Sequence, residues 1–178
     1  MISEFEIIRR YFTRPARTAV LGVGDDCALV RPRAGATLAV STDMLLAGRH
    51  FFPDAEPGKL GHKALAVNLS DLAAMGADPR WALLAIALPR ADRRWIAAFS
   101  RGFFRLARRF GTELIGGDTT RGPLAIDGLA LNRFNIPGIT TARNAAQATE
   151  MRTDPPIRIP IRGLPCQRSD AAATTTPE

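Results

Sequence analysis

Apolar residues follow two different periods along the first two-thirds of the chain. Helical spacing runs from Leu60 to Met75 and from Asp92 to Phe110, and a glycine follows each segment, which favours two helices. Ser3 and Glu6 form a capping-box pattern that predicts a short helix through Phe12. Short apolar runs predict strands at Thr18 to Val23, Cys27 to Val30, Thr37 to Ser41, Trp81 to Leu88 and Thr112 to Ile115. Strands alternating with helices indicate an α/β or α+β domain.

The pattern changes near Asp127. Residues 128–178 show no sustained period and contain a run of prolines and a terminal Ala/Thr-rich stretch, which predicts a mostly disordered tail. The predicted organisation is therefore a domain at residues 1–127 and a low-order segment at 128–178. Two alternatives stay open, namely that Leu129 to Phe134 adds a strand and that the segment forms a second small domain. The abrupt change is also typical of a shifted reading frame.

Composition narrows the class of protein. The 178 residues are 46% hydrophobic, enough for one domain with a core. The acidic N-terminus and the lack of a long apolar run argue against a signal peptide or membrane span, and two unpaired cysteines fit a reduced cytoplasmic protein. The net charge is +7, with lysine only at positions 59 and 63. Since many arginines fall on one predicted helix without aromatic RNA-binding signatures, a solvated helix face is favoured over nucleic-acid binding.

Aspartates recur in short polar segments near the predicted strand ends. They are Asp25, Asp26, Asp43, Asp71, Asp78 and Asp118, and each except Asp78 is close to Gly, Ser, Thr or Asn. Oxygen ligands of this kind suit Mg²⁺, which commonly bridges carboxylates and substrate phosphates. For any single aspartate, a role in a cap or turn is favoured over metal binding, and spacing does not choose between Asp25 and Asp26. Asp71 is different, because it lies within a helical pattern three residues after Asn68.

The motifs that are missing also guide the interpretation. The sequence has no P-loop, no complete dinucleotide glycine motif, no nucleophile elbow and only two histidines, His50 and His62. Acids must therefore carry the chemistry. Bound cations would remove the repulsion between neighbouring carboxylates, and phosphoryl transfer depends mainly on positioning and charge neutralisation. The sequence predicts metal-assisted phosphate chemistry.

Several segments resemble bacterial thiamine-monophosphate kinase, a family within the aminoimidazole ribonucleotide synthetase-like superfamily. They are Ser3 to Phe12, Leu21 to Leu29, Ser41 to Leu45, Gly48 to Phe52, His62 to Ala77 and Leu114 to Pro123. The resemblance covers roughly Ile2 to Leu124. It implies the N-terminal domain of that fold, with a mixed sheet and helices on one face.

The resemblance also implies a function and a set of residues. The reaction would be ATP-dependent phosphorylation of thiamine monophosphate to thiamine diphosphate by a homodimer whose sheets join into a barrel. The Mg²⁺ ligands would be Asp26, Ser41, Thr42, Asp43, Asp71 and Asp118. Gly117 and Asp118 would meet the nucleotide, and His50 the thiamine phosphate. The acceptor is an ionised phosphate oxygen, so no catalytic base is expected.

The second domain of that family is not recognisable after Asp127, which leaves competing functions. The chain is either a kinase with impaired activity, a non-catalytic dimerisation fragment, or another ATP-using member of the superfamily. The histidine loop and the match over Asn68 to Ala77 argue against a different acceptor.

Overall fold

A computed structural model describes residues 2–134. The helical segments are α1 (Glu4–Ile7), which continues as a π-helical turn over Ile8–Phe12, α2 (Pro57–Ala74) and α3 (Arg93–Phe110). The strands are β1 (Ala19–Leu21), β2 (Leu29–Val30), β3 (Thr37–Leu46), β4 (Asp78–Leu88), β5 (Glu113–Arg121) and β6 (Ala125–Phe134).

The main sheet has four strands in the order β3-β6-β4-β5. The last strand, β6, lies between β3 and β4 and is antiparallel to both, whereas β4 and β5 are parallel and joined through α3. Strands β1 and β2 form a separate antiparallel pair. The predicted mixed sheet is therefore confirmed.

The helices lie on one face of this sheet, as predicted. Helix α2 packs on β3 and β6, and α3 packs against α2 and the N-terminal helix. The two long helices approach so closely that a Cβ atom at Gly102 would lie 1.8 Å from the Gly58 carbonyl oxygen. The core between helices and sheet includes Phe99 and Ile126, both fully shielded from solvent.

Local signals in the sequence fix the helix ends. Ser3 and Glu6 form the predicted capping box, and Asp92 caps α3 by accepting hydrogen bonds from two backbone amides. Helix α3 ends at Gly111 in the left-handed conformation, with φ of 63°. In the described part of the chain, no helix has the length and apolar character needed to cross a membrane.

The differences from the sequence prediction that matter for the site are two strand ends and the domain boundary. Strand β3 continues to Leu46 and β5 to Arg121, so Asp43 and Asp118 lie within strands rather than in turns after them. The predicted domain boundary at residue 127 falls inside β6. Residues 128–134 thus belong to a strand rather than to a low-order tail, because pairing with both β3 and β4 stabilises a segment whose own pattern is weak. The predictions for residues 135–178 lie outside the described residues.

Candidate functional site

Three of the predicted metal ligands meet where α2 crosses β3. Ser41 and Asp43 alternate with Thr42 along β3, so both project towards the helices on the side of the buried Leu45. Asp71 lies in the last turns of α2 and accepts a hydrogen bond of 2.9 Å from the Ser41 hydroxyl. We call Ser41, Asp43 and Asp71 the carboxylate cluster.

The charge of Asp71 disfavours ionisation of Asp43. Burial raises the pKa of Asp43, and the charge of Asp71 and a hydrogen bond between the two side chains raise it further. Asp127 adds to this effect, whereas nearby His50 opposes it. A cation placed between Asp43 and Asp71 would relieve the repulsion, which is the electrostatic character expected of a metal-binding pair.

His50 lies in the loop after β3, close enough to Asp43 to affect its pKa. Its Nδ1 atom accepts a hydrogen bond of 3.0 Å from the Leu46 backbone amide. In a neutral imidazole the proton must then be on Nε2, which can donate to an anion. The Lys63 ammonium on α2 donates to the His50 carbonyl oxygen and so fastens this loop to the helix.

Lys63 and Asp127 are two residues of this region that sequence reasoning missed. Burial lowers the pKa of Lys63. Asp127 lies on β6, and its carboxylate accepts a hydrogen bond of 3.0 Å from the Thr42 hydroxyl. Because Thr42 and Asp127 project from the sheet face opposite the helices, the predicted ligand Thr42 is separated from the carboxylate cluster by the sheet. The sequence did contain a signal for β6, because Ile126, Gly128 and Ala130 alternate with other residues at the period of two that is typical of a strand.

The remaining predicted residues lie elsewhere on the domain. Asp26 is exposed in the bend between β1 and β2. Gly117 and Asp118 lie in the middle of β5, beside a small cavity of about 20 Å³ that Phe12 and Val23 also line. Within residues 2–134, no three Asp, Glu, His or Cys side chains are near enough to hold one metal ion. The structure thus brings together Asp43, Asp71 and Ser41 but does not join them to Asp26 or Asp118.

Asn68 is a buried polar residue one turn before Asp71. Its side-chain amide donates over 3.4 Å to the Ala64 carbonyl, and its Oδ1 atom has no partner among the described residues. A Cβ atom on Gly128 would lie 2.7 Å from the Asn68 amide nitrogen, so only glycine lets β6 approach α2 this closely. This contact sets the spacing between helix and sheet beside the carboxylate cluster.

Comparison with known proteins places this geometry in a family. The sequence profile described as "AIR synthase related protein, N-terminal domain" matches residues 24–133. The chain is 50% identical over 147 residues to thiamine-monophosphate kinase of Escherichia coli strain K12, a match that covers 81% of this chain and 45% of that protein. For the Salmonella typhimurium enzyme the identity is 55% over the same length and coverage.

Solved structures give the same result. A crystal structure of thiamine-monophosphate kinase from Stenotrophomonas maltophilia K279a superposes with a TM-score of 0.63 at 48% identity, covering 74% of this chain and 41% of that one. The structure described as AaThiL complexed with AMPPCP and TMP superposes with a TM-score of 0.55 at 28% identity, covering 58% and 34%. The hydrogenase maturation protein HypE, at 22% identity and a TM-score of 0.57, shares the fold.

These matches confirm the resemblance inferred from the motifs and extend it. The aligned 147 residues exceed the stretch Ile2 to Leu124, and the family profile passes the predicted boundary at residue 127. The chain spans about half the length of the curated relatives it matches, since the match covers 45% of them.

Proposed function

The chain belongs to the AIR synthase related family, and we propose that it carries the N-terminal half of a thiamine-monophosphate kinase site. The reaction is transfer of a phosphoryl group from ATP to thiamine monophosphate, which gives thiamine diphosphate. The observation that carries this proposal is the position of the carboxylate cluster beside His50. The acids can hold a cation, and the histidine next to them can donate a hydrogen bond to a phosphate. Relatives of the stated name and a relative in complex with AMPPCP and TMP support the choice of reaction.

Asp43 and Asp71 are the residues proposed to hold Mg²⁺. The hydroxyl of Ser41 donates to one carboxylate oxygen of Asp71, and a cation bound between Asp71 and Asp43 would take the place of the hydrogen bond between those two side chains. When bound, Mg²⁺ would neutralise charge on the phosphates being joined. Two carboxylates are a typical protein contribution for this ion, because its remaining positions are filled by water and substrate phosphates. Asp26 and Asp118 remain proposed ligands that the described geometry does not bring to this pair.

His50 is proposed to bind the phosphate of thiamine monophosphate. The Leu46 amide occupies Nδ1, so the ring presents Nε2–H as a donor to a phosphate oxygen. Lys63 restrains the loop from the other side by its bond to the His50 carbonyl. Gly117 and Asp118 of β5 are proposed to meet the nucleotide, since glycine allows close approach of a phosphate to the backbone.

No side chain in this arrangement has to act as a general base. The acceptor is a phosphate oxygen that is already ionised near neutral pH, so the barrier comes from bringing two anions together. The chain's own task is to fix the acceptor through His50 and to hold the counter-charge through Asp43 and Asp71. Positioning and charge neutralisation are the main contributions in phosphoryl transfer.

The direct test is to incubate the purified chain with ATP, Mg²⁺ and thiamine monophosphate and to measure thiamine diphosphate. Slow formation that disappears in Asp71→Asn is the expected result for a chain that spans half of its relatives. If wild-type chain forms no product and also binds thiamine monophosphate no better than the His50→Ala variant does, the proposed site is wrong.

A second candidate function is a non-catalytic dimerisation module. The sheet face opposite the helices carries Thr42 and Asp127 but also exposed apolar side chains, and Val40, Met44 and Leu46 are 58%, 56% and 39% exposed there. By strand register Leu129 and Leu131 lie on the same face. A group of exposed apolar side chains on one face of a domain is typical of an interaction surface. We propose that two copies of the chain pair through this face.

Size-exclusion chromatography with light scattering tests the dimer. Val40→Glu should shift the chain to the mass of a monomer. Val20→Glu is a matched control, because Val20 is also 58% exposed but lies on β1, outside the four-stranded sheet. A dimer that survives Val40→Glu, or a wild-type monomer at micromolar concentration, would exclude pairing through this face. A dimer without any kinase activity would favour the second candidate.

A further inference from the structure

A groove lined by arginines lies where the start of α2 meets α3. We call it the arginine groove, and its charged residues are Arg14, Arg101, Arg105, Arg108 and Glu56. Its volume is about 400 Å³, and its floor includes Gly102 and Phe104. The groove reaches Gly58 at the start of α2, whereas Asp71 lies near the end of that helix, about 20 Å away at 1.5 Å per residue. It is therefore separate from the carboxylate cluster and does not depend on the proposed kinase function.

Within residues 2–134, only one acid lies close to the positive charges of the groove. Arg101, Arg105 and Arg108 are exposed and follow the i, i+4, i+7 spacing of one helix face. Among residues 2–134, no carboxylate forms an ion pair with any of these three. Glu56 is the one acid in the lining, and its two oxygens are already engaged with the Gly58 and Lys59 amides at 2.7 and 2.9 Å. Like charges at this spacing repel, so a bound anion would stabilise the helix face.

One arginine of the groove is held in place. The Arg14 guanidinium lies 4.5 Å from the centre of the Phe104 ring, and one of its nitrogens donates over 2.6 Å to the Thr13 carbonyl. Phe104 itself is buried, which makes the stacking surface rigid. The close packing of Gly58 against Gly102 brings the first turn of α2 to the groove. The packing of α2 against α3 therefore fixes the backbone of the groove residues that lie on these two helices.

We propose that the arginine groove binds an oligophosphate anion, such as the tripolyphosphate group. Four guanidinium groups against one carboxylate give a local charge of about +3, which favours a ligand with several negative charges. Guanidinium groups present paired N–H donors that match phosphate oxygens in two-point hydrogen bonds, which a lysine surface does not offer. The volume fits a small anion rather than a folded partner.

The test measures tripolyphosphate binding to the whole chain by calorimetry in the presence of EDTA, so that metal ions at the carboxylate cluster make no contribution. The double variant R101Q/R105Q should bind at least tenfold more weakly. Arg93→Gln is the matched control on the same helix, because Arg93 is exposed but does not line the groove. It should leave the affinity within about twofold. Arg105→Lys keeps the positive charge but loses the paired N–H donors. Its affinity for tripolyphosphate should lie between those of R101Q/R105Q and Arg93→Gln.

Two results would overturn the proposal. The first is equal affinity of wild type and R101Q/R105Q at matched circular dichroism spectra, which would mean that tripolyphosphate binds elsewhere on the chain. The second comes from an arm with a short single-stranded oligonucleotide. If the oligonucleotide binds through these arginines and tripolyphosphate does not, the groove recognises nucleic acid instead of a free oligophosphate.

Discussion

Replacing Asp43 by asparagine tests two effects of the carboxylate cluster on stability. The repulsion between the acids should destabilise the metal-free protein, and their binding of Mg²⁺ should stabilise the metal-bound one. In the metal-free protein, burial and the charge of Asp71 raise the pKa of Asp43 above its ordinary 3.8. A carboxyl with a raised pKa in the folded state binds more protons there than in the unfolded chain. Its contribution therefore lowers stability as pH rises from the ordinary pKa through the raised one, and the penalty is complete at pH 7.

The expected magnitude is small without metal and larger with it. Repulsion between two carboxylates that solvent still screens amounts to about 1 kcal/mol or less. Asp43→Asn should thus raise the Tm of the metal-free chain by about 2–4 °C. Wild-type chain should gain about 2.7 kcal/mol at Mg²⁺ concentrations 100 times its Kd, or roughly 5–10 °C, and the variant should lose most of that gain.

The measurement is the melting temperature of wild type and Asp43→Asn at pH 7, once in EDTA and once in Mg²⁺. The variant should be the more stable protein without metal and the less stable one with it. Asp78→Asn removes one charge from an exposed aspartate at the start of β4 and should change neither melting temperature by more than a degree or two. If Asp43→Asn destabilises the metal-free chain, or keeps the full Mg²⁺ response, Asp43 and Asp71 do not form a repulsive metal-binding pair.

Three further substitutions test the packing of α3 on α2, the contacts at the start of β5 and the attachment of the His50 loop. Gly102→Ala should destabilise the chain by about 1–3 kcal/mol in urea denaturation despite the helix preference of alanine, because its Cβ would lie 1.8 Å from a carbonyl oxygen of α2, and an unchanged midpoint would contradict the packing. At Glu113 burial raises the carboxyl pKa, but hydrogen bonds led by those from Thr18 outweigh it and leave the pKa below 4.5. Glu113→Gln should therefore cost stability at pH 7, and the difference from wild type should vanish as pH falls through that lowered pKa, whereas a pH-independent difference would refute this cause. Lys63→Met removes the bond to the His50 carbonyl and should weaken thiamine monophosphate binding while leaving the Mg²⁺ shift in Tm unchanged, and loss of both would indicate a general structural role.

The sequence was a good guide wherever local interactions decide the structure. The capping box of Ser3 and Glu6 and the glycine stop at Gly111 were predicted, and the start of α3 was placed at Asp92, because each signal depends on residues within one helical turn. The helical position of Asp71 was also predicted and proved to be the most useful one. Its side chain reaches Ser41 on β3, a contact between residues 30 positions apart.

The pairing between strands that are distant in sequence could not be predicted. Ser41 and Thr42 interrupt an apolar run and look like the end of a strand, yet β3 extends to Leu46, ten residues in all, because β6 pairs with it along its full length. Asp127 looked like the last residue of an ordered domain for the same reason. It is paired with Met44 on one side and Ala85 on the other, and neither partner is visible from local composition.

The segment beyond residue 127 also determines the geometry of the carboxylate cluster. Asp43 pairs directly with Gly128, and a Cβ atom at Gly128 would come within 2.7 Å of Asn68 and 2.9 Å of the Ala64 carbonyl. The distance between α2 and β3, and with it the distance from Asp71 to Asp43, therefore depends on a glycine in β6. A chain that ended at residue 127 would keep both acids but lose the strand that fixes their separation. The two carboxylates are a property of the assembled sheet and helix, and the aspartates alone do not define the site.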